Sequence, residues 1–219
     1  MKQVVTIGGG TGSYTVLSGL KTLPGVSIAA IVAMADDGGS TGLLRKKWRV
    51  KPPGDVRQCL AALSGKDFLN KRIGRHKVGN LILAVLEKIT GNFNRGLKIA
   101  SFIFGSRGEI IPVTDDDAVL EVKLKNGAGI ITGESKIDMA NLQSANYEGL
   151  IERISYTTGP AFAPKAKTAV QNADYIIVGP GNLFCSIIPN FIATGFKETM
   201  TQSRAKIILI MNLVNNPGH

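Results

Sequence analysis

Cysteine is nearly absent from this 219-residue chain. Cys59 and Cys185 stand alone with no paired spacing, which excludes a disulfide framework and a cysteine-based zinc module. No apolar run approaches the roughly 20 residues a membrane-spanning helix needs. The N-terminus runs straight into a strand-like segment, without the charged region, apolar core and cleavage site of a signal peptide. The expectation is therefore a soluble protein of a reducing cytoplasm. Aromatic residues supply only 6% of the chain. Acids are few beside bases, 16 against 26. The whole excess falls between Thr41 and Arg107, where 15 Lys and Arg face only Asp55, Asp67 and Glu87. A basic stretch attracts anions, whether small phosphates, nucleic acid or a membrane surface. Only Trp48 is interleaved with its charges, so specific binding of nucleic acid is not expected.

What is present suits one large globular domain, since hydrophobic residues make up 44% of the chain and charged residues 19%. A chain of this length buries roughly 70% of the surface its unfolded form exposes. Gln3–Ile7 is a short β-branched run ending in three glycines, and Tyr14–Leu23 carries Val16, Leu17 and Leu20 at helical spacing. Val26–Met34 is apolar throughout, as a strand covered on both faces should be. This strand, glycine turn, helix and strand form a βαβ unit with parallel strands. Further on, Val56, Cys59, Leu60 and Leu63 share a helix face that Asp55 is placed to cap. Val78, Leu81, Ile82, Val85, Leu86 and Ile89 mark a second helix, opened by His76. Glu109–Val113, Val119–Leu124 and Ile130–Gly133 suggest an antiparallel excursion. Tyr175–Val178, a second glycine loop, a helix from about Phe184 and Ile207–Leu213 close the chain in βα fashion. The fold expected over residues 1–219 is a single doubly wound α/β domain, a mainly parallel sheet with helices on both faces.

Three loops carry the chemistry. Gly8, Gly9, Gly10, Thr11 and Gly12 join a buried strand to a helix, where free backbone N–H groups bind anions. The third glycine of a dinucleotide fingerprint is replaced by Ser13, and a P-loop lysine is absent. Asp36 and Asp37, followed by Gly38, Gly39 and Ser40, end the second strand. An acid there binds a ribose hydroxyl in dinucleotide folds, and two adjacent acids can equally hold magnesium beside phosphates. Gly179, Gly181 and Asn182 repeat the glycine-loop logic in the second half. Arg57 is placed to pair with Asp55 or to clamp a phosphate. His76 and Asn80 lie where a helix start can meet a polar ligand. No His-x-His, HExxH or Gly-x-Ser-x-Gly spacing points to a metal site or a serine hydrolase. Asp115-Asp116-Asp117 is read as a solvated turn.

These loops occur in an order that resembles one family. GGGTG with VLSGLK (Val16–Lys21), ADDGGSTGLLR (Ala35–Arg45), PPGDVRQCLAAL (Pro52–Leu63), HKVGNLILAVL (His76–Leu86), GESKI (Gly133–Ile137) and GPGNLFCSIIPN (Gly179–Asn190) are similar to the gluconeogenesis factors, the YvcK-like branch of the CofD-like superfamily. The resemblance implies a cytoplasmic bacterial protein that binds a UDP-sugar and acts on cell shape and cell-wall synthesis through partner proteins. It implies a ligand site at Gly9, Gly10, Thr11, Asp36, Asp37, Ser40, His76, Asn80, Gly181 and Asn212, to which Ser186 and Asn190 of the last motif are added. A homo-oligomer is expected. The sister branch transfers 2-phospho-L-lactate to a deazaflavin with magnesium, which is the competing reading and would place the metal at Asp36 and Asp37. NAD-dependent redox chemistry is weaker, because of Ser13. Asn182, Phe184 and Cys185 stand where the branch has Ser, Tyr and Thr. Asn215-Asn216-Pro217-Gly218 stands where it has Thr-Gln-Pro-Gly followed by Glu. The family's C-terminal portion is expected to be missing.

Overall fold

The structure, a computed structural model, describes residues 1–127, 129–143 and 151–213. The opening unit forms as its pattern dictates. Strand β1 (Lys2–Gly8), helix α1 (Gly10–Leu20) and strand β2 (Val26–Val32) make a parallel pair in which Val4 faces Ile28 and Ile7 faces Ile31. Both strands bury their distal halves, with Ile7, Ile31 and Val32 removed from solvent. The helix starts at Gly10, earlier than its apolar spacing indicates, because the glycine loop itself forms the first turn.

A long helical crossover follows. It comprises α2 (Gly39–Trp48), α3 (Gly54–Ser64), a hairpin of β3 (Arg72–Ile73) and β4 (His76–Lys77), α4 (Val78–Thr90) and α5 (Phe93–Phe104). The chain then enters β5 (Glu109–Pro112), which pairs in parallel with β2. This corrects the expectation that Glu109–Val113 belongs to the antiparallel excursion. A short apolar run does not reveal its partner, and four intervening helices let the chain return in the same direction. His76 is likewise not the opening of α4. It pairs with Ile73 in the hairpin, and Lys77 is the N-cap.

The antiparallel excursion is real for the other two runs. Strands β6 (Leu120–Leu124), β7 (Ile130–Thr132) and β8 (Ile151–Tyr156) form a separate sheet in the order β7-β6-β8, with α6 (Glu134–Gln143) following β7. It packs through a small core of Leu120, Val122, Leu124, Ile137 and Tyr156, joined by Ala35 and Cys185 from the main body. That shared core fixes α6 over the ends of the main strands.

After α7 (Pro164–Gln171), strand β9 (Tyr175–Val178) pairs with β1 on the side away from β2. A wide turn at Leu183–Ile187, in which the Ile187 N–H reaches the Asn182 carbonyl, replaces the regular helix expected from Phe184. Turns of this π type are frequent at functional sites. Helices α8 (Ile188–Phe191) and α9 (Phe196–Gln202) lead to β10 (Lys206–Leu209), shorter than Ile207–Leu213. The main sheet is parallel throughout, in the order β10-β9-β1-β2-β5. Right-handed crossovers place α1 and α3 on one face and α7 and α9 on the other, giving the expected α/β architecture. The core between them contains Leu17, Leu60, Leu63, Leu83 and Ile176, all essentially inaccessible. Since the chain leaves β1 toward β2 and returns at β9, the order reverses between β1 and β9. A crevice at the carboxyl ends of those strands is where such sheets bind ligands. The segment Asn215-Asn216-Pro217-Gly218 lies outside the described residues.

Candidate functional site

The crevice has the two glycine loops as its walls. Gly10 sits at φ +61°, a conformation that favours glycine, and begins α1. Gly12 lies so close to the second loop that a Cβ on it would overlap the Pro180 carbonyl oxygen. The second loop is held from the far side by Asn212, whose amide exchanges two hydrogen bonds with Gly181, at 3.0 and 2.9 Å. Asn182 ends it by accepting from the N–H groups of Phe184 and Cys185, at 3.0 and 2.9 Å, so its side chain starts the wide turn. Between the loops lies a cavity of about 380 Å³, within the range of small-molecule sites.

Asp55 enters this cavity instead of capping its own helix. The N-cap of α3 is Pro53, with no side-chain cap, and the Asp55 carboxylate accepts the Gly10 N–H. Thus one of the N–H groups expected to be free for an anion is already taken by a carboxylate of the protein. Burial, and then the charge of Asp36, push the Asp55 carboxyl up to about 7. Asp36 is fully engaged by its own loop. Its Oδ1 accepts the Gly38 N–H at 2.9 Å and its Oδ2 the Thr41 hydroxyl at 2.7 Å. Burial raises its carboxyl as well. Asp37 points elsewhere, accepting the Ser135 N–H at 2.8 Å and so anchoring the first turn of α6.

That anchoring brings two acids into the cavity to which the sequence reading gave no role. Glu134 and Asp138 line it, with Gln58 and Cys185. Burial raises the Glu134 carboxyl to about 8, with the charges of Asp36 and Asp55 adding to the effect. The GESKI motif was the one signal available for Glu134. Burial pushes the Cys185 thiol up, which disfavours the reactive thiolate.

Of the residues expected at the site, Gly9, Gly10, Thr11, Gly12, Asp36, Asp55, Gly181, Asn182 and Ser186 line the cavity. Gly8, Gly38, Gly39 and Gly179 shape the loops behind it. Ser40, Arg57, His76 and Asn80 form a polar chain beneath. The Arg57 Nε donates to Asn80 Oδ1 at 3.0 Å, and Asn80 Nδ2 donates to the Ser40 hydroxyl at 3.1 Å. His76 Nδ1 lies 3.3 Å from that same hydroxyl. Arg57 also reaches Asn70, so it clamps neither Asp55 nor a phosphate. This chain ends on Thr41, which holds Asp36, so these residues act on the site by bracing its acidic loop. Asn190 is buried in α8 and donates to the Ser186 carbonyl at 2.8 Å.

Comparison with known proteins gives the family. The family described as "2-phospho-L-lactate transferase CofD" matches residues 4–219. The chain belongs to the CofD family. Within it, the chain is 39% identical to the gluconeogenesis factor of Halalkalibacterium halodurans over 99% of its own length and 68% of that protein's. Against the gluconeogenesis factor of Bacillus subtilis the figures are 36%, 99% and 69%. A Nostoc relative is also 39% identical, and the chain spans only 48% of it. A crystal structure of a Bacillus halodurans protein superimposes with a TM-score of 0.90 at 38% identity, over 100% of this chain and 71% of that one.

CofD-family membership raises the question of magnesium at Asp36 and Asp37. These two side chains do not fit that role as they stand. Both Asp36 oxygens and one Asp37 oxygen accept hydrogen bonds from the protein. Among the described residues, no three acidic, histidine or cysteine groups converge on a metal-sized point.

Proposed function

We propose that this CofD-family chain binds a nucleotide-sugar, a UDP-sugar, and serves as a cytoplasmic regulator of cell shape and cell-wall synthesis under gluconeogenic growth, acting through partner proteins. The observation that supports it is the pair of glycine loops facing each other across one cavity at the point where the strand order reverses. Backbone N–H groups at Thr11 and Gly12 begin a helix and suit a phosphate, while the acids lining the same cavity suit hydroxyls. No histidine lines the crevice among the described residues.

The experiment is a thermal-shift series with UDP-glucose, UDP-N-acetylglucosamine and UDP. A ligand bound only by the folded state raises the melting temperature in proportion to RT ln(1 + [L]/Kd). Gly10→Val should abolish the shift, since valine does not adopt the conformation of Gly10 and its side chain fills the space of the phosphate. An unaltered shift in that variant would mean the loop is structural only. The second reading, transfer of phospholactate to a deazaflavin, is favoured by the name of the matching family. Turnover of those substrates by the purified chain would establish it.

A further inference from the structure

The glycine loops account for a phosphate, and they leave the sugar of the ligand unrecognised. Five acids surround the crevice: Asp36, Asp37, Asp55, Glu134 and Asp138. Three of them already serve the protein. Asp36 holds Gly38 and Thr41, Asp37 holds Ser135, and Asp55 holds Gly10. The two on α6 differ. Asp138 Oδ1 accepts from the Asn182 amide at 2.8 Å, and its Oδ2 has no donor among the described residues. The Glu134 side chain accepts from no described residue except the Cys185 thiol, a weak donor. Both side chains line the cavity, on the helix that packs beside the Asn182 end of the second glycine loop.

A half-buried carboxyl with only a thiol for a donor loses its hydration and gains little in return, so its place in a fold needs a reason. No lysine, arginine or histidine lines the crevice among the described residues, so no cation of the protein supplies one. The chemistry that satisfies two acceptors on one wall is a set of hydroxyl donors, as when an acidic residue takes a ribose hydroxyl in a dinucleotide fold. We propose that Glu134 and Asp138 determine specificity by accepting hydrogen bonds from the hydroxyls of the ligand's sugar. This rests on the nucleotide-sugar reading. It assigns the recognition of the sugar to the antiparallel insertion, which contributes α6, and the recognition of phosphate to the parallel sheet. Asn182 links the two by holding Asp138 while it starts the wide turn.

The test is calorimetric titration of the full chain with UDP and with UDP-glucose, with magnesium present so that any need for metal is met. The wild type should bind UDP-glucose more tightly than UDP. At pH 9, above the Glu134 value of about 8, Glu134→Ala should lose about tenfold or more on UDP-glucose, the usual effect of removing a charged hydrogen bond, and less than twofold on UDP. Asp138→Asn keeps an oxygen for the Asn182 amide and turns a donor toward the sugar, so it should behave in the same way while preserving the fold. Retained UDP binding reports that each variant is folded. Equal losses on both ligands, no loss on either, or a wild type indifferent to the sugar would overturn the assignment. A wild type that binds neither compound would overturn the nucleotide-sugar reading itself, and the assignment with it.

Discussion

Asp55→Asn should stabilise the ligand-free protein by clearly more at pH 8 than at pH 5. Asp55 has its carboxyl raised from an ordinary 3.8 to about 7, first by burial and then by the charge of Asp36. Below pH 4 the group is protonated in both folded and unfolded chains and makes no difference. Between pH 4 and 7 the folded chain keeps a proton that the unfolded chain has released, so stability falls as the pH rises. Above pH 7 the loss is complete and constant. About three pH units at 1.36 kcal/mol each set a ceiling of about 4 kcal/mol. Asparagine still offers an oxygen to the Gly10 N–H and carries no charge to repel Asp36 and Glu134. For a chain of this size each kcal/mol moves the melting temperature by about 2–4 °C. Even a third of the ceiling is therefore readable by calorimetry. The scans belong in chelator without nucleotide, and the quantity is the difference between variant and parent at each pH, because Glu134 and Asp36 titrate in both proteins. A melting difference that is the same at pH 5 and pH 8, or a variant less stable at pH 8, would refute the reasoning.

Other substitutions probe the frame of the site. Gly12→Ala should destabilise the fold by about 1–3 kcal/mol, seen as a lower denaturation midpoint, because its Cβ meets the backbone oxygen of Pro180 and one loop must move. Asn80→Ala should cost about 1.5–3 kcal/mol in the same assay, since the buried Arg57 loses the acceptor of its Nε and Thr41 loses a support. The edge strand β10 exposes Ile207, Ile208 and Leu209 by 60, 43 and 61%, an invitation to edge-to-edge pairing. Ile208→Lys should reduce concentration-dependent association in light scattering without altering the melting temperature by more than about 2 °C.

Much of the frame was legible because it is local. The run from Gln3 to Met34 declares a βαβ unit through apolar strands and a glycine turn, and the second glycine loop declares itself in the same way. The site was legible only in part, because its decisive contacts are long-range. Nothing near Asp55 indicates that its carboxylate crosses to Gly10 in place of capping its own helix. Asp37 looks like a ligand residue beside Asp36, yet it anchors α6 almost a hundred positions away. Glu134 and Asp138 sit on a helix with no marked apolar face, in an insertion whose place over the crevice depends on a small core shared with Ala35 and Cys185. Arg57, His76 and Asn80 lie beneath the crevice as bracing of its acidic loop, which the sequence does not show, since the hairpin that folds His76 against Ser40 has only two residues per strand.

The central claim is that the crevice binds a nucleotide-sugar through backbone N–H groups and side-chain acceptors, with no metal at Asp36 and Asp37. Calorimetric titration of the purified chain with UDP-glucose in excess chelator tests it most directly. The account predicts saturable one-to-one binding that added magnesium leaves within about threefold, a difference well under 1 kcal/mol. Binding that is absent in chelator and appears only when magnesium is restored would contradict it.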